Sequence, residues 1–273
     1  MILADVPSSP AAQLKQQKRP CCSFNGCVHL CKKLQVVTGD SGFNVRLCNG
    51  TDMLLEPGMS NPTILINKVT QQLGHPTQSL IGWLVKEFLV NKNWIVEVKA
   101  ANLAQIQPNN TVLEVGFGPG LGLQEALQYL TGSNGKLYGL DYSEYMHKTA
   151  TRRLQDQITS GKVQLILGSV EDIPLPDSSV DRVFHCNCYY FWPDLKKGSA
   201  ELLRVMKPEA LMVTTLRLNT VKTGVSFGLL RGKMWQPEYY MDALQATGFR
   251  DVRMEEMEDK GFKFNAIFAT ASK

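Results

Sequence analysis

Four glycines in seven residues, at 116, 118, 120 and 122, sit between a β-rich run and a helical pattern. Residues 111–115, Thr-Val-Leu-Glu-Val, read as a short buried strand. Residues 121–130 read as a helix. A glycine turn at a strand-to-helix junction lets a ligand approach the main chain and leaves unpaired helix N–H groups beside it. In an alternating α/β chain such a turn marks the crevice at the carboxyl ends of the strands.

The alternation is sustained after that turn. Strands are expected at 136–140, 163–167, 181–186 and 211–216, and helices at 144–157, 194–206 and 237–247, the last closed by Gly248. Parallel neighbours need long crossover connections, and these spacings supply them. The last two strands, 249–257 and 262–270, are joined by Glu258-Asp-Lys-Gly261, too short for a crossover, so they must be antiparallel. The expected fold is therefore α/β: a doubly wound, mostly parallel seven-stranded sheet with an antiparallel C-terminal strand. Before it, helices are expected over 61–73, from the Ser79 cap through Leu89, and over 94–106. Residues 61–110 thus form a helical cap segment ahead of a domain at 111–273.

Residues 1–60 differ. Pro7, Pro10 and Pro20 interrupt any long helix, and Gly39, Gly42, Gly50, Pro57 and Gly58 punctuate the rest. This stretch reads as a flexible arm with one short hairpin near residues 34–47. Basic residues outnumber acidic ones here, which admits a mitochondrial targeting segment, but Asp5 and the lack of an Arg-rich amphipathic helix favour a cytoplasmic reading. Five of the seven cysteines lie in the first 48 residues, in odd number and uneven spacing, so a disulfide framework is not expected. Cys27, His29 and Cys31 meet only half of a zinc template, and no metal is expected. A net charge of +4 argues for no nucleic-acid partner, and no run of 18 apolar residues argues for a membrane span.

The glycine turn discriminates between ligands. A dinucleotide fingerprint would put a glycine or alanine where Leu121 or Leu123 stands, and a P-loop would need a Lys that is absent. What fits is acid-x-Gly-x-Gly-x-Gly, from Glu114 to Gly120, with Asp141 closing the next strand where a carboxylate can hold two ribose hydroxyls. Read structurally, Glu114 satisfies backbone donors and Asp141 caps the following helix.

With these residues the chain resembles the class I S-adenosylmethionine-dependent methyltransferases, in the small-molecule branch that carries Val-Leu-Glu-Val-Gly-Phe-Gly-Pro-Gly. Ser169-Val-Glu171 ahead of Asp172-Ile-Pro-Leu-Pro-Asp177 is similar to the family's third-strand loop. Residues 181–187 are similar to its fourth strand, and Leu203-Arg-Val-Met-Lys-Pro208 to the helix end before the fifth. The resemblance covers residues 61–273. It implies S-adenosyl-L-methionine as cofactor. Gly116, Gly118 and Gly120 would lie along its methionine part, and Glu114 would organise water or its ammonium. Asp141 would hold the ribose, Tyr142 would pack on the adenine, and Ser169, Val170 and Glu171 would border the adenine edge. Asn187 would face cofactor and acceptor. Ser169 departs from the usual Asp, and Pro-Glu-Ala210 replaces Pro-Gly-Gly.

The implied activity is methyl transfer by in-line displacement to an O, N or C nucleophile of a small molecule or lipid. The alternatives are an inactive methyltransferase-like binding module and a protein or nucleic-acid methyltransferase. No catalytic base is named, and the oligomeric state stays open. His185 reads as a core residue. Tyr189 and Tyr190 are candidate acceptor contacts, whereas Phe191 and Trp192 read as anchors for the next helix. Phe227, Leu229, Leu230 and Trp235, in the 219–235 loop, read either as the wall of an apolar pocket or as one packed cluster.

Overall fold

The computed structural model describes residues 35–39, 42–46, 52–53, 62–230 and 232–273. The Cys27-His29-Cys31 spacing and the targeting-segment question lie outside these residues. Two units are distinguished, residues 1–62 and 63–273. In the first, β1 (Gln35–Gly39) and β2 (Gly42–Arg46) form the expected antiparallel hairpin, and β3 (Asp52–Met53) adds a third strand to β2.

The second unit begins at the second residue of α1 (Pro62–Gly74), which is followed by α2 (Leu80–Leu103). The Ser79 side chain accepts the N–H of Gly82 at 3.0 Å, as its N-cap reading requires. The two helices expected here, from Ser79 and over 94–106, are one helix of 24 residues. The Asn-Lys-Asn run at 91–93 looks like a break, but it contains neither Gly nor Pro, so nothing stops the turn from propagating.

Seven strands follow in one sheet: β4 (Thr111–Val115), β5 (Lys136–Asp141), β6 (Val163–Leu167), β7 (Val180–Cys186), β8 (Met206–Leu216), β9 (Phe249–Asp259) and β10 (Phe262–Ala271). Their order is β6-β5-β4-β7-β8-β10-β9. All pairings from β6 to β8 are parallel, and β10 runs antiparallel between β8 and β9. The β9–β10 turn is Lys260-Gly261, both at positive φ (51° and 81°), as a two-residue hairpin turn matched to strand twist demands. Buried strands alternate between two cores. Leu113, Val183 and Met212 face one, and Val112, Phe184 and Val213 face the other. The second core is covered by α2, α3 (Leu121–Ala126), α4 (Glu144–Arg153) and α5 (Gln155–Thr159). The first is covered by α6 (Leu195–Val205) and α8 (Pro237–Thr247).

Four further elements differ from expectation. The helix expected over 121–130 ends at Ala126. The helix expected over 144–157 divides at Leu154. Strand β8 begins five residues early, because Glu209 takes a left-handed φ of 63° and a register shift opposite Val180 and Arg182 absorbs the extra length. The loop expected at 219–235 contains a helix, α7 (Leu218–Ser226). Among the described residues, no helix is long and apolar enough to cross a membrane.

The chain builds outward from β4 through β5 to β6, then returns to place β7 on the other side of β4. The crossovers after β4 and β7 therefore diverge, and a crevice opens at the carboxyl ends of these two strands.

Candidate active site

That crevice is a cavity of about 450 Å³. Its wall includes Gly116, Gly118, Asp141, Tyr142, Ser169, Val170, Asn187 and Tyr190 of the residues singled out from sequence. Gly116 has φ 68°, and a Cβ there would lie 2.9 Å from that of Cys188, so no larger residue fits. Gly118 has φ 50° and open space where a Cβ would project. Its N–H donates to Asp141 Oδ2 at 2.9 Å, while Asp141 Oδ1 accepts the N–H of Ser143 at 2.8 Å. One carboxylate thus ties the glycine loop to the end of β5. Burial raises the pKa of Asp141, and the two N–H bonds draw it back down.

Tyr142 stands beside it, 44% exposed, with its hydroxyl donating to the Gly74 carbonyl and its ring edge-on to His75 at 4.5 Å. Burial and the neighbouring Asp141 charge push its phenol up to about 12. Asn187 takes a left-handed φ of 48°, and its Oδ1 accepts the N–H of Arg217 at 3.3 Å.

Four singled-out residues are not in the wall: Glu114, Gly120, Glu171 and Tyr189. Gly120 caps α3 at φ 83°, and a Cβ there would lie 3.1 Å from that of Ala150. The Glu171 carboxylate is turned to α6, accepting the Asp194 N–H at 2.8 Å and lying 3.5 Å from Lys197 Nζ. Tyr189 is buried, donates to the Trp235 carbonyl at 2.8 Å and stacks on Tyr240. Conversely Phe191, read as an anchor, lines the cavity, as do Phe227, Leu229 and Leu230, whereas Trp235 does not. Trp192 borders it too, but is 7% exposed and packs against Gly198 of α6, in keeping with its anchor reading. Strand alternation cannot foresee this exchange, because Tyr189–Phe191 is a 3₁₀ turn.

His185 is a core residue. Its Nε2 pairs with the Tyr240 hydroxyl and Thr214 Oγ1, both at 2.8 Å, and its Nδ1 with Cys188 Sγ at 3.3 Å. Burial lowers its pKa to about 3 and raises that of both Cys186 and Cys188, so the imidazole stays neutral and the thiols protonated.

Sequence reasoning missed Glu97, on α2. It lines the cavity and is 8% exposed. A signal was present: Glu97 shares a helix face with Ala101 and Ala104, which are buried against the sheet. Glu114, 1% exposed on β4, lies close by. The Gly122 N–H lowers the pKa of the Glu97 carboxyl and the Leu123 N–H that of Glu114, so two carboxyls feel the start of α3. Burial pushes the Glu97 carboxyl up to about 8 and Glu114 well above its usual range, each acid reinforced by nearby carboxylates.

The unfolded chain releases the Glu97 proton near pH 4.5, and the folded one holds it to about 8. The folded state therefore binds more protons between these values, and stability falls as pH rises through that window. Melting temperatures from pH 4.5 to 8 should decline in the native chain and decline less steeply in Glu97→Gln. Equal slopes would count against a buried, protonated Glu97.

A methyltransferase-domain family model matches residues 113–214. An uncharacterized methyltransferase of Bacillus subtilis, YdaC, is 32% identical over 173 residues, which are 63% of this chain and 88% of that protein. The chain belongs to the class I S-adenosylmethionine-dependent methyltransferases. This methyltransferase is also similar to a demethylmenaquinone methyltransferase of Desulfitobacterium hafniense, 28% identical over 157 residues, or 54% of this chain and 61% of that one. An S-adenosylmethionine-dependent methyltransferase from Aquifex aeolicus shares its fold at a TM-score of 0.50 and 23% identity, covering 77% of this chain and 98% of that one. The doubly wound sheet with its antiparallel C-terminal strand is thus the fold of this enzyme. Glu97 lies outside the matched domain.

Proposed function

We propose that this methyltransferase takes up S-adenosylmethionine in the cavity and moves its methyl group to an O, N or C nucleophile of an apolar small molecule or lipid. The carrying observation is that a single cavity joins the Gly118–Asp141 cradle to an apolar wall of Phe191, Phe227, Leu229 and Leu230. The cradle suits a cationic nucleoside. Gly118 leaves room for close approach to the main chain, and Asp141, its oxygens already oriented by two N–H groups, has lone pairs left for a ribose diol. Gly116 and Gly118 would run beside the methionine part, with Tyr142, Ser169 and Val170 beside the adenine. Glu114, Gly120 and Glu171 would act from behind the wall, through the loop and helix ends that they hold.

When bound, the cofactor supplies an already activated methyl group. The chain's own task is alignment, which can supply roughly 7–11 kcal/mol of the barrier. An acceptor that arrives deprotonated needs no general base. Similarity to a quinone methyltransferase and the exposed Phe227, 67% accessible beside the cavity, support an amphiphilic acceptor of quinone or lipid type.

Purified protein incubated with methyl-labelled S-adenosylmethionine and cell extract should place label in the organic-soluble small-molecule fraction. Label in protein or nucleic acid instead would overturn the acceptor reading. No label together with no cofactor uptake by calorimetry would favour the binding-module reading.

A further inference from the structure

The mechanism above leaves Glu97 without a task. Its Oε2 is buried and has no hydrogen-bond partner, although the residue borders the cavity. A buried polar atom left unpaired is costly and calls for an explanation such as a bound ion or water; Glu114 Oε2 is unpaired as well, but Glu114 is not in the cavity wall. Asn93, one helical turn earlier on α2, lines the same cavity. We propose that Glu97, with Asn93 beside it, is a subsite for an ammonium group, and that filling it expels a proton from the Glu97 carboxyl to solvent.

The charges facing Glu97 favour a cation. Glu114 on β4 and Asp141 on β5 are acids and Cys186 on β7 is an un-ionised thiol; among the described residues the bases are Arg153 on α4 and, in the wall of the same cavity, Arg217, whose guanidinium lies over the Phe262 ring at 4.6 Å. Arg153 already donates to the Pro119 carbonyl at 2.8 Å and to Gln124 Oε1 at 3.2 Å. The site is therefore short of positive charge. An arriving ammonium would favour the ionised carboxyl. The neutral acid and the ammonium ion become a carboxylate–ammonium pair plus one released proton, and charge balances. In the free protein the carboxyl titrates near 8, so at neutral pH it holds that proton.

The ammonium has two sources. One is the amino-acid end of the cofactor, which rests on the cofactor reading above. The other is an amine acceptor. Calorimetry of the native chain and of Glu97→Gln at pH 7, in two buffers of different ionisation heat, separates them. The probes are S-adenosylmethionine, 5′-methylthioadenosine (which lacks the amino-acid end) and n-octylamine, and folding of the variant is read from its thermal transition.

The expected result is release of about one proton per bound S-adenosylmethionine at pH 7, turning to proton uptake at pH 9.5, where the carboxyl is already ionised and the ligand's α-amino group arrives uncharged. Glu97→Gln should abolish the release and weaken that ligand by about 30-fold, leaving 5′-methylthioadenosine unchanged. An effect confined to n-octylamine would assign the subsite to the acceptor. Equal affinities and equal proton release in native chain and variant, with both amines, would overturn the subsite. A native chain that takes up no S-adenosylmethionine would overturn the proposed function instead, and n-octylamine alone would then decide the ammonium subsite.

Discussion

Asp141→Ala is expected to weaken S-adenosylmethionine binding by about 100-fold or more, while changing thermal stability little. The binding loss has two parts. The diol loses its acceptor, and Gly118 loses the charged bond at 2.9 Å that holds the loop against β5; each hydrogen bond to a charged group is worth about 1.5–3 kcal/mol. Stability is spared because the same carboxylate is buried, and its removal also removes a desolvation cost. Asp141→Asn should fall between, because an amide oxygen can accept from only one of the two N–H groups while its NH₂ faces the other donor. Titration calorimetry and melting curves on the three proteins decide the matter. Undiminished affinity in Asp141→Ala would remove the cradle from the cofactor site.

The largest expected effect on stability is at Tyr240. This ring is fully buried, stacked on Tyr189 at 4.5 Å and met edge-on by Trp192 and His185, both at 5.6 Å. Tyr240→Ala should cost about 3–5 kcal/mol, from lost burial and the cavity left behind. For a domain of this size that lowers the melting temperature by roughly 10 °C. Tyr240→Phe should cost only about 1 kcal/mol, since His185 Nε2 keeps its contact with Thr214 Oγ1 at 2.8 Å. Similar losses for the two variants in denaturant titrations would show that the hydroxyl, and not the ring, carries the site.

Local chemistry made much of the fold legible. Ser79 at a helix start, Gly248 at a helix end with φ 111°, and a two-residue turn before β10 each follow from neighbours within a few residues. Legibility failed where elements distant in sequence meet. Tyr189 and Phe191 are two residues apart, yet one is stacked on Tyr240 of α8 and the other lines the cavity, because the chain between them is a 3₁₀ turn and does not alternate as a strand would. The motif position of Glu171 implies the adenine edge; what only the fold shows is that its carboxylate accepts the N–H of Asp194, which begins a helix 23 residues later.

The order of strands and helices, the glycine turn after β4 and the acid at the end of β5 were set by residue type and spacing alone, because they depend on backbone torsions and on the length a crossover must span. Only the folded chain decided what closes the cavity: α2 bringing Glu97 and Asn93, and the segment after β8 bringing Phe227, Leu229 and Leu230. Those contacts arise where crossovers diverge at β4 and β7, and no periodicity within one helix says which of its faces will look into the gap.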